Sequence, residues 1–236
     1  MGKISDLTDF HAHILPGADH GSSSLETSAT QLRILYGAGV RRVVATPHFY
    51  PNAISVDGFL RKRDAAERSL ASLSGERMPR IYVGAEVLVC AGIDRMPGLE
   101  KLCIKGTNVL LLEMPFAKWD DSLYEAVYNI SRRGFRVVMA HIGRYPSGQS
   151  RRLISECGVP VQLNGENIST IRGRYNVMRW LEAGIVCAFG SDLHGPNKKQ
   201  AKNLSSIYSF AGEYGEKINE KCSYLLKDAE YIKFSR

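Results

Sequence analysis

Short apolar runs alternate along this chain with segments of helical periodicity, and this alternation constrains the fold more than any other feature of the sequence. The runs are rich in β-branched residues, and seven are predicted to be strands: Leu7–Phe10, Val43–Thr46, Ile81–Ala85, Val109–Leu112, Arg136–Ala140, Val159–Leu163 and Ile185–Phe189. Helices are predicted between them and after the last one, over Leu25–Tyr36, Asp57–Leu73, Ser122–Arg132, Arg151–Glu156, Tyr175–Glu182, Lys199–Phe210 and Glu216–Leu226. Because strands that alternate with helices pair in parallel through right-handed crossovers, the sequence predicts an α/β fold with a parallel sheet.

The loops after the predicted strands narrow the arrangement of this sheet. No glycine-rich phosphate-binding motif comes after any of the strands, which argues against a doubly wound nucleotide-binding sheet. A closed or distorted seven-stranded (β/α) barrel fits better, and the 236 residues suit one domain over 1–236 without repeat or linker. Ser23 and Glu26 have the spacing of a capping box, which predicts where the first helix begins.

Composition excludes several classes of protein. No stretch approaches the ~18 apolar residues of a membrane span and the amino terminus lacks a signal-peptide core, so we expect a cytoplasmic protein that is not transmembrane. Five cysteines without a Cys-x-x-Cys motif suit a reducing compartment. The net charge of +7 is spread over basic pairs that decorate solvated helix ends or steer an anionic substrate. Aromatic residues do not interleave with a basic stripe, so nucleic acid is not predicted as a partner.

All six histidines lie where a predicted strand gives way to a loop: His11, His13, His20, His48, His141 and His194. Two carboxylates, Glu86 and Glu113, are predicted to close strands of their own, and Asp192 stands two residues before the last histidine. The carboxyl ends of barrel strands meet at one rim, which is where function gathers in such folds. The sequence therefore predicts that these side chains converge.

The residue types indicate a metal site. Strand alternation sends both imidazoles of His11-Ala-His13 to the same face, so that they can share one ion, and Asp192-Leu-His194 does the same with a carboxylate and an imidazole. A lone histidine is more often a packed or surface residue, but that reading would have to hold for every histidine independently. Mixed imidazole and carboxylate ligands suit Mn, Fe or Zn. We interpret the chain as a metal-dependent hydrolase.

The ordered series of motifs resembles bacterial capsule-type protein tyrosine phosphatases of the polymerase-and-histidinol-phosphatase (PHP) superfamily. The resemblance spans nearly the whole chain, through Asp9-Phe-His11-Ala-His13-Ile-Leu-Pro-Gly with Asp19-His20-Gly21, Thr46-Pro-His48-Phe, Gly84-Ala-Glu86, Leu112-Glu113-Met-Pro-Phe, His141-Ile-Gly-Arg144-Tyr, Gln162-Leu-Asn164 and Ser191-Asp192-Leu-His194. It implies a distorted (β/α) barrel with three divalent metals, manganese being favoured. It also implies hydrolysis of phosphotyrosine on a bacterial tyrosine kinase that controls polysaccharide export.

The resemblance also implies a role for each matched residue. One metal would be held by His11, His13, Glu86 and Asp192, with Glu86 bridging to a second that Glu113 and His141 also hold. The third would be held by His48 and His194, with His20 in place of the second aspartate of the family, or with Asp19 coordinating instead. Arg144 would grip the phosphate, assisted by Lys199, which stands where the family commonly has another arginine.

Three alternatives to this function stay open. The same ligands would serve a phosphatase of a small monoester such as histidinol phosphate, a nuclease, which would need a basic groove, or a regulatory module that has lost activity. A cysteine phosphatase is disfavoured because no cysteine precedes an arginine in a Cys-x5-Arg motif. Four aromatic residues just past strand ends could line a substrate pocket or pack the loops: Phe49, Tyr50, Phe116 and Trp119. Both a monomer and a homo-oligomer are compatible with the sequence.

Overall fold

The computed structural model describes residues 6–73 and 77–234, and strands alternate with helices throughout them. The strands are β1 (Leu7–Ala12), β2 (Val40–Ala45), β3 (His48–Phe49), β4 (Arg80–Val83), β5 (Glu86–Leu88), β6 (Val109–Glu113), β7 (Arg136–Met139), β8 (Val161–Asn164) and β9 (Val186–Gly190). The α-helices are α1 (Leu25–Gly37), α2 (Val56–Ala71), α3 (Asp121–Arg132), α4 (Ser147–Cys157), α5 (Ile171–Glu182), α6 (Lys198–Ala211) and α7 (Glu213–Leu225). Each predicted strand and helix has a counterpart whose ends differ by at most four residues. The amino-terminal segment 1–5, where we expect no signal sequence, lies outside the described residues.

Two short strands, β3 and β5, are additions to the predicted seven. Pro47 ends β2 because it has no N–H to donate, and β3 begins immediately after it. Gly84 and Ala85 separate β4 from β5, although Gly84 N–H still donates to Ala45 O at 2.9 Å. Glu86 therefore opens β5, and the prediction that Glu86 closes a strand is wrong. The carbonyl of Pro47 accepts a hydrogen bond from Glu86 N–H at 3.1 Å, which aligns β3 beside β5.

The strands form two parallel sheets that follow one another around the molecule. The first has the order β1-β2-β4 and the second the order β3-β5-β6-β7-β8-β9. Along the chain, β3 follows β2 and β5 follows β4, each after a break of two residues. The second sheet therefore begins next to the carboxyl ends of the strands of the first. The segment after β9 then returns to β1, because His13 N–H donates to Leu193 O at 3.1 Å and Asp192 N–H donates to His11 O at 2.8 Å. This is a distorted (β/α) barrel.

The distortion lies between β4 and β6, which do not pair with each other in either of the described sheets. The carboxy-terminal residues 230–232 fill this position: Ile232 N–H donates to Ile81 O at 2.8 Å and Glu230 N–H donates to Lys105 O at 3.0 Å. Tyr231 thereby forms an antiparallel bridge with Tyr82. The amino-terminal end of the barrel is thus completed by the end of the described chain and not by a strand of the parallel sheet.

A side-chain cap fixes the start of α1. Ser24, and not the predicted Ser23, is the N-cap of α1 and accepts from Thr27 N–H at 3.1 Å. The prediction of a Ser23–Glu26 capping box is wrong by one residue, since the three consecutive serines at 22–24 offer equivalent capping groups. Among the described residues, no helix has both the length and the apolar character needed to cross a bilayer.

Candidate metal centre

Eight of the nine predicted metal ligands converge at the carboxyl ends of the strands. Their donor atoms form four overlapping groups, in each of which the atoms lie within 4.8 Å of one another: His11–His13–Asp192, His11–Glu86–His141, His48–Glu86–Glu113 and His13–His48–His194. His20, the ninth, belongs to none of these groups, but its ring stacks at 4.7 Å on His194 and at 4.9 Å on His48. The structure therefore brings together residues that are up to 183 positions apart (194 − 11) in the sequence.

Glu86 lies at the centre of this cluster and is almost fully buried, with 1% of its surface exposed. Its Oε1 lies 2.8 Å from His141 Nε2. Its Oε2 lies 2.9 Å from His48 Nδ1, 3.2 Å from His11 Nε2 and 3.3 Å from His13 Nε2. A carboxylate surrounded by four imidazoles has the geometry of a ligand shared between cations.

The two remaining carboxylates lie on either side of this centre. Glu113 presents Oε1 to His141 Nε2 at 3.5 Å and Oε2 to His48 Nδ1 at 3.7 Å. Asp192 Oδ1 lies 3.3 Å from both His13 Nε2 and His194 Nδ1. His48 therefore faces the Glu86–Glu113 pair as well as His194, so the described groups share more members than the three separate ligand sets implied by the resemblance.

The buried polar atoms of this cluster fit a divalent cation. Four of them make no well-aligned hydrogen bond within the described chain: Glu86 Oε2, His48 Nδ1, His141 Nδ1 and His194 Nε2. A buried polar atom without a partner is unfavourable by about 1–3 kcal/mol, so a concentration of them marks a site that a ligand completes. Imidazole nitrogens and carboxylate oxygens are donors that Mn, Fe and Zn accept.

Charge in the cluster is balanced between imidazoles and carboxylates. Burial opposes the charged form of His141, yet the hydrogen bonds that its imidazole donates to the Glu113 and Glu86 carboxylates raise its pKa to about 9. Burial likewise opposes the charge of Glu86, but the neighbouring His11 lowers the pKa of this carboxyl well below its ordinary value. Since an imidazole must lose its proton to bind a cation, metal binding displaces protons here and weakens as the pH falls.

A buried layer of polar side chains holds the candidate ligands in place. Gln162 Oε1 accepts from His141 N–H at 2.8 Å and lies 3.3 Å from His11 Nδ1. Asn164 donates to Asp192 Oδ2 at 3.3 Å. Partners of this kind orient a metal ligand and fix its tautomer. No role was predicted for Gln162 and Asn164 from the sequence. Two polar residues in alternate positions of an otherwise apolar strand nevertheless indicate side chains that hold a buried site in place.

A second polar link joins the first strand to the last loop. Asp9, buried in β1, accepts from Ser191 Oγ at 2.5 Å and from Ser191 N–H at 2.8 Å. It therefore fixes the segment that carries Asp192 relative to the strand that carries His11. The sequence places Asp9 in the opening motif but does not reveal this function.

The backbone is strained at two of the candidate ligands. His141 and Asp192 have φ values of 31° and 51°, in the left-handed region that non-glycine residues rarely adopt. Such strain persists where the surrounding structure holds a side chain in a functional orientation. Gly190 is required for a steric reason, because a Cβ at this position would lie 2.7 Å from the Cβ of His11.

Asp19 and His20, the alternative ligands of the third metal, occupy different positions. Asp19 Oδ2 lies 2.6 Å from His13 Nδ1 and accepts from His48 N–H at 3.0 Å, while its Oδ1 accepts from Gly21 N–H at 2.8 Å. Both oxygens are thus engaged in orienting the candidate ligands and the loop. His20 is exposed and its ring faces His48 and His194. Asp19 therefore orients His13 and the backbone of His48, whereas His20 lies beside two candidate ligands without joining any of the described donor groups.

The two predicted phosphate-binding residues differ in their surroundings. Arg144 is partly exposed; its Nη1 lies 2.5 Å from Asp192 Oδ2 and its Nε donates to Glu166 Oε1 at 3.1 Å. Its guanidinium is therefore at the edge of the cluster. Lys199, in the first turn of α6, is exposed, and its ammonium makes no ion pair or hydrogen bond with the described chain. Only Arg144 is in direct contact with a candidate ligand.

The four aromatic residues separate into two pairs. Phe49 is buried and packs edge-on against Phe59, and Trp119 is buried against Tyr124 and Tyr145. These two pack the core and the loop. Tyr50 and Phe116 are exposed at the rim, beside His48 and His141 respectively. The pocket interpretation therefore applies only to the second pair.

The cysteines lie outside the site. All five are free thiols, four of them are buried, and none belongs to the described groups of candidate ligands. Burial raises the pKa of the Cys222 thiol to about 12 and that of Cys157 to about 11. A thiolate nucleophile is therefore not favoured at these positions.

A parallel barrel with imidazoles and carboxylates gathered at its carboxyl rim is the arrangement of a metal-dependent hydrolase. A family model described as capsular polysaccharide synthesis, CpsB/CapC, matches residues 7–232. The chain belongs to the CpsB/CapC family.

Individual relatives extend over most of the chain. Tyrosine-protein phosphatase YwqE of Bacillus subtilis is 23% identical over 221 residues, which cover 90% of this chain and 87% of the relative. Tyrosine-protein phosphatase CpsB of Streptococcus agalactiae is 27% identical over 207 residues, covering 80% of this chain and 83% of the relative.

Solved structures share the fold. A structure from the pair YwqE of Bacillus subtilis and CpsB of Streptococcus pneumoniae, described as metal-dependent tyrosine phosphatases, matches with a TM-score of 0.77 at 19% identity, covering 97% of this chain and 98% of that one. A TatD family hydrolase from Entamoeba histolytica matches with a TM-score of 0.56 at 10% identity, covering 98% of this chain and 100% of that one. The predicted distorted barrel is confirmed by this likeness.

The central position of Glu86 generates the first prediction. Glu86→Gln should weaken metal binding, because the amide removes a charge that faces four imidazoles. Loss of a side chain that only supports a metal ligand weakens binding roughly 10- to 100-fold, so loss of Glu86 itself should have at least this effect. Metal content per chain, measured by mass spectrometry after dialysis, reports the loss. Glu100→Gln, an exposed change remote from the cluster, is the control. A full metal complement in Glu86→Gln would contradict the bridging role.

The positions of Asp19 and His20 generate the second prediction. His20→Ala should lose the weakest-bound metal, whereas Asp19→Ala should keep the number of sites and lower their affinity, because Asp19 acts through His13. His20→Asp should tighten the third site and retain it at lower pH, since a carboxylate adds negative charge and is deprotonated well below the ~6.5 of free histidine. Metal titration followed by calorimetry measures all three. If His20→Ala keeps every site and Asp19→Ala loses one, the assignment is reversed.

Proposed function

We propose that this chain is a metal-dependent protein tyrosine phosphatase. The observation that carries the proposal is the Glu86-centred cluster of imidazoles and carboxylates with the Arg144 guanidinium at its edge. Membership of the CpsB/CapC family supports it, as do the names of the relatives YwqE and CpsB, both tyrosine-protein phosphatases. The substrate we propose is phosphotyrosine on a bacterial tyrosine kinase that controls capsule or exopolysaccharide synthesis.

The proposed cofactors are three divalent cations, with manganese favoured and iron or zinc as alternatives. The ligands we propose are His11, His13, His20, His48, Glu86, Glu113, His141, Asp192 and His194. When bound, such cations lower the pKa of water and neutralise the charge of a phosphate group. The three carboxylates among the ligands would offset half of the six positive charges of three divalent cations, whereas a shell of neutral imidazoles would offset none.

Arg144 is proposed to bind and orient the phosphoryl group. A guanidinium donates two parallel hydrogen bonds to phosphate oxygens, and its partly exposed position beside Asp192 allows a substrate to reach it. Lys199 is proposed to add a second positive charge from the start of α6, as a point charge without the planar fork of arginine. The departing phenolate, with a pKa of ~10, is a fair leaving group, so a strong general acid is not required.

Asp19 and Gln162 are proposed to position the reacting centre without touching the substrate. The contact of Asp19 with His13 Nδ1 directs the opposite ring nitrogen, Nε2, toward Glu86 and Asp192. Gln162 fixes His11 and the strained backbone of His141 in the same way. We further propose a cytoplasmic location, which is consistent with five free thiols.

The proposed activity generates the third prediction. Protein purified without chelator should hydrolyse p-nitrophenyl phosphate and a phosphotyrosine peptide; removal of metal should abolish turnover, and Mn²⁺ should restore it. A variant with all five cysteines replaced by serine or alanine should keep its metal-dependent activity, because no thiol lies in the cluster. Turnover that survives exhaustive chelation would exclude the proposal. Hydrolysis of histidinol phosphate but not of the peptide would retain the chemistry and replace the substrate.

The position of Arg144 generates the fourth prediction. Arg144→Ala should retain the metals and lower kcat roughly 10²- to 10³-fold, since its contact with the phosphoryl group strengthens as charge shifts in the transition state. Arg144→Lys should recover part of this loss, and Arg151→Ala, a change of an exposed arginine on α4, should be neutral. Parallel measurement of metal content and kcat tests the assignment. Equal loss of metal in Arg144→Ala and Glu86→Gln would mean that Arg144 supports Asp192 instead of the substrate.

A further inference from the structure

Two aromatic side chains at the rim stand nearly parallel to candidate metal-binding imidazoles. Phe116 stacks on His141 with 17° between the ring planes and 6.2 Å between the centroids. Tyr50 stacks on His48 with 18° between the planes and 5.1 Å between the centroids. Each imidazole is thus continued toward solvent by an aromatic ring.

The imidazoles of both stacks, His141 and His48, contact the same two carboxylates. Glu86 presents Oε1 to His141 and Oε2 to His48, and Glu113 presents its two oxygens to the same two imidazoles. His141 is buried, whereas 71% of the surface of Phe116 and 37% of that of Tyr50 is exposed. The aromatic rings therefore mark a way out of the cluster that the organic group of a bound phosphomonoester can follow.

Phe116 is held in this exposed position by packing on its inner side. Its ring contacts Tyr145 at 5.8 Å, and Tyr145 contacts the buried Trp119 at 5.0 Å. The hydroxyl of Tyr145 also accepts from Met114 N–H at 3.0 Å, which fixes the turn that follows Glu113. A phenylalanine that is supported from below and open above presents a rigid apolar face at little cost in conformational entropy.

We propose that Phe116 receives the aryl ring of the substrate and, together with Tyr50, makes the site prefer aryl over alkyl phosphomonoesters. This inference rests on the proposed function and adds the residue that recognises the leaving group. A phosphotyrosine ring whose phosphate is at the cluster would cover the exposed face of Phe116. Stacking of two aromatic rings stabilises a pair enough to change binding about three- to tenfold.

The test compares two inhibitors that cannot be hydrolysed, phenylphosphonate and methylphosphonate, against hydrolysis of p-nitrophenyl phosphate by the metal-loaded enzyme. The wild-type protein should bind the phenyl compound more tightly. Phe116→Ala should raise the inhibition constant of phenylphosphonate about three- to tenfold and leave that of methylphosphonate unchanged. Phe116→Trp should restore the preference. Tyr128→Ala removes an exposed aromatic residue on α3 and is the matched control.

The outcomes separate this inference from the proposed function. A wild-type protein that hydrolyses no aryl phosphate would refute the proposed function itself. Hydrolysis by the wild type with the same inhibitor preference in Phe116→Ala would refute only the role of Phe116. Equal weakening of both phosphonates, or loss of metal in Phe116→Ala, would show a structural effect and would also overturn the inference.

Discussion

The carboxylate of Glu86, buried among four imidazoles, is the interaction on which the rest of the rim depends. His11 and His13 reach it from β1 and the residue after it, His48 from the start of β3 and His141 from the loop after β7. An isolated carboxylate in such a place would be strongly unfavourable, because burial penalises its charge. Positive charge close by, whether carried by protons or by cations, is what makes this position tolerable.

The interruption of two strands creates the room for this arrangement. β2 ends at Ala45 and β4 at Val83, and after a break of two residues in each case the chain resumes with His48 as the first residue of β3 and Glu86 as the first of β5. In an unbroken strand, alternation would fix each side chain strictly inward or outward. The breaks instead place His48 and Glu86 side by side, as register partners on the neighbouring strands β3 and β5.

The sequence indicated the fold and most of the cluster because both depend on local signals. Periodicity located the strands and helices, and the histidines at strand ends identified the rim. The start of β5 at Glu86 was not predicted although Gly84 interrupts the run from Ile81 to Ala85, because a single glycine in a strand indicates a bulge as readily as a break. The supporting roles of Asp9 and Gln162 depend on partners far along the chain, and that of Asp19 depends on a loop that brings it back to His13. Residue type alone does not show such pairs. Phe49 and Trp119 could not be separated from Tyr50 and Phe116 before their burial was known.

The seam between β1 and the loop after β9 joins parts of the chain that are synthesised far apart in time. Asp9 and Ser191, which hold this seam together, are 182 residues apart. The cluster therefore cannot assemble on a nascent chain before the loop after β9 has emerged, and no amino-terminal fragment that ends before His194 contains all of these donors. Cations bound by ligands on both sides of the seam would hold the two ends of the fold together. Their binding would then raise the free energy of unfolding in proportion to the logarithm of the free metal concentration. The concentration of free metal would then influence the stability of the folded chain together with its activity.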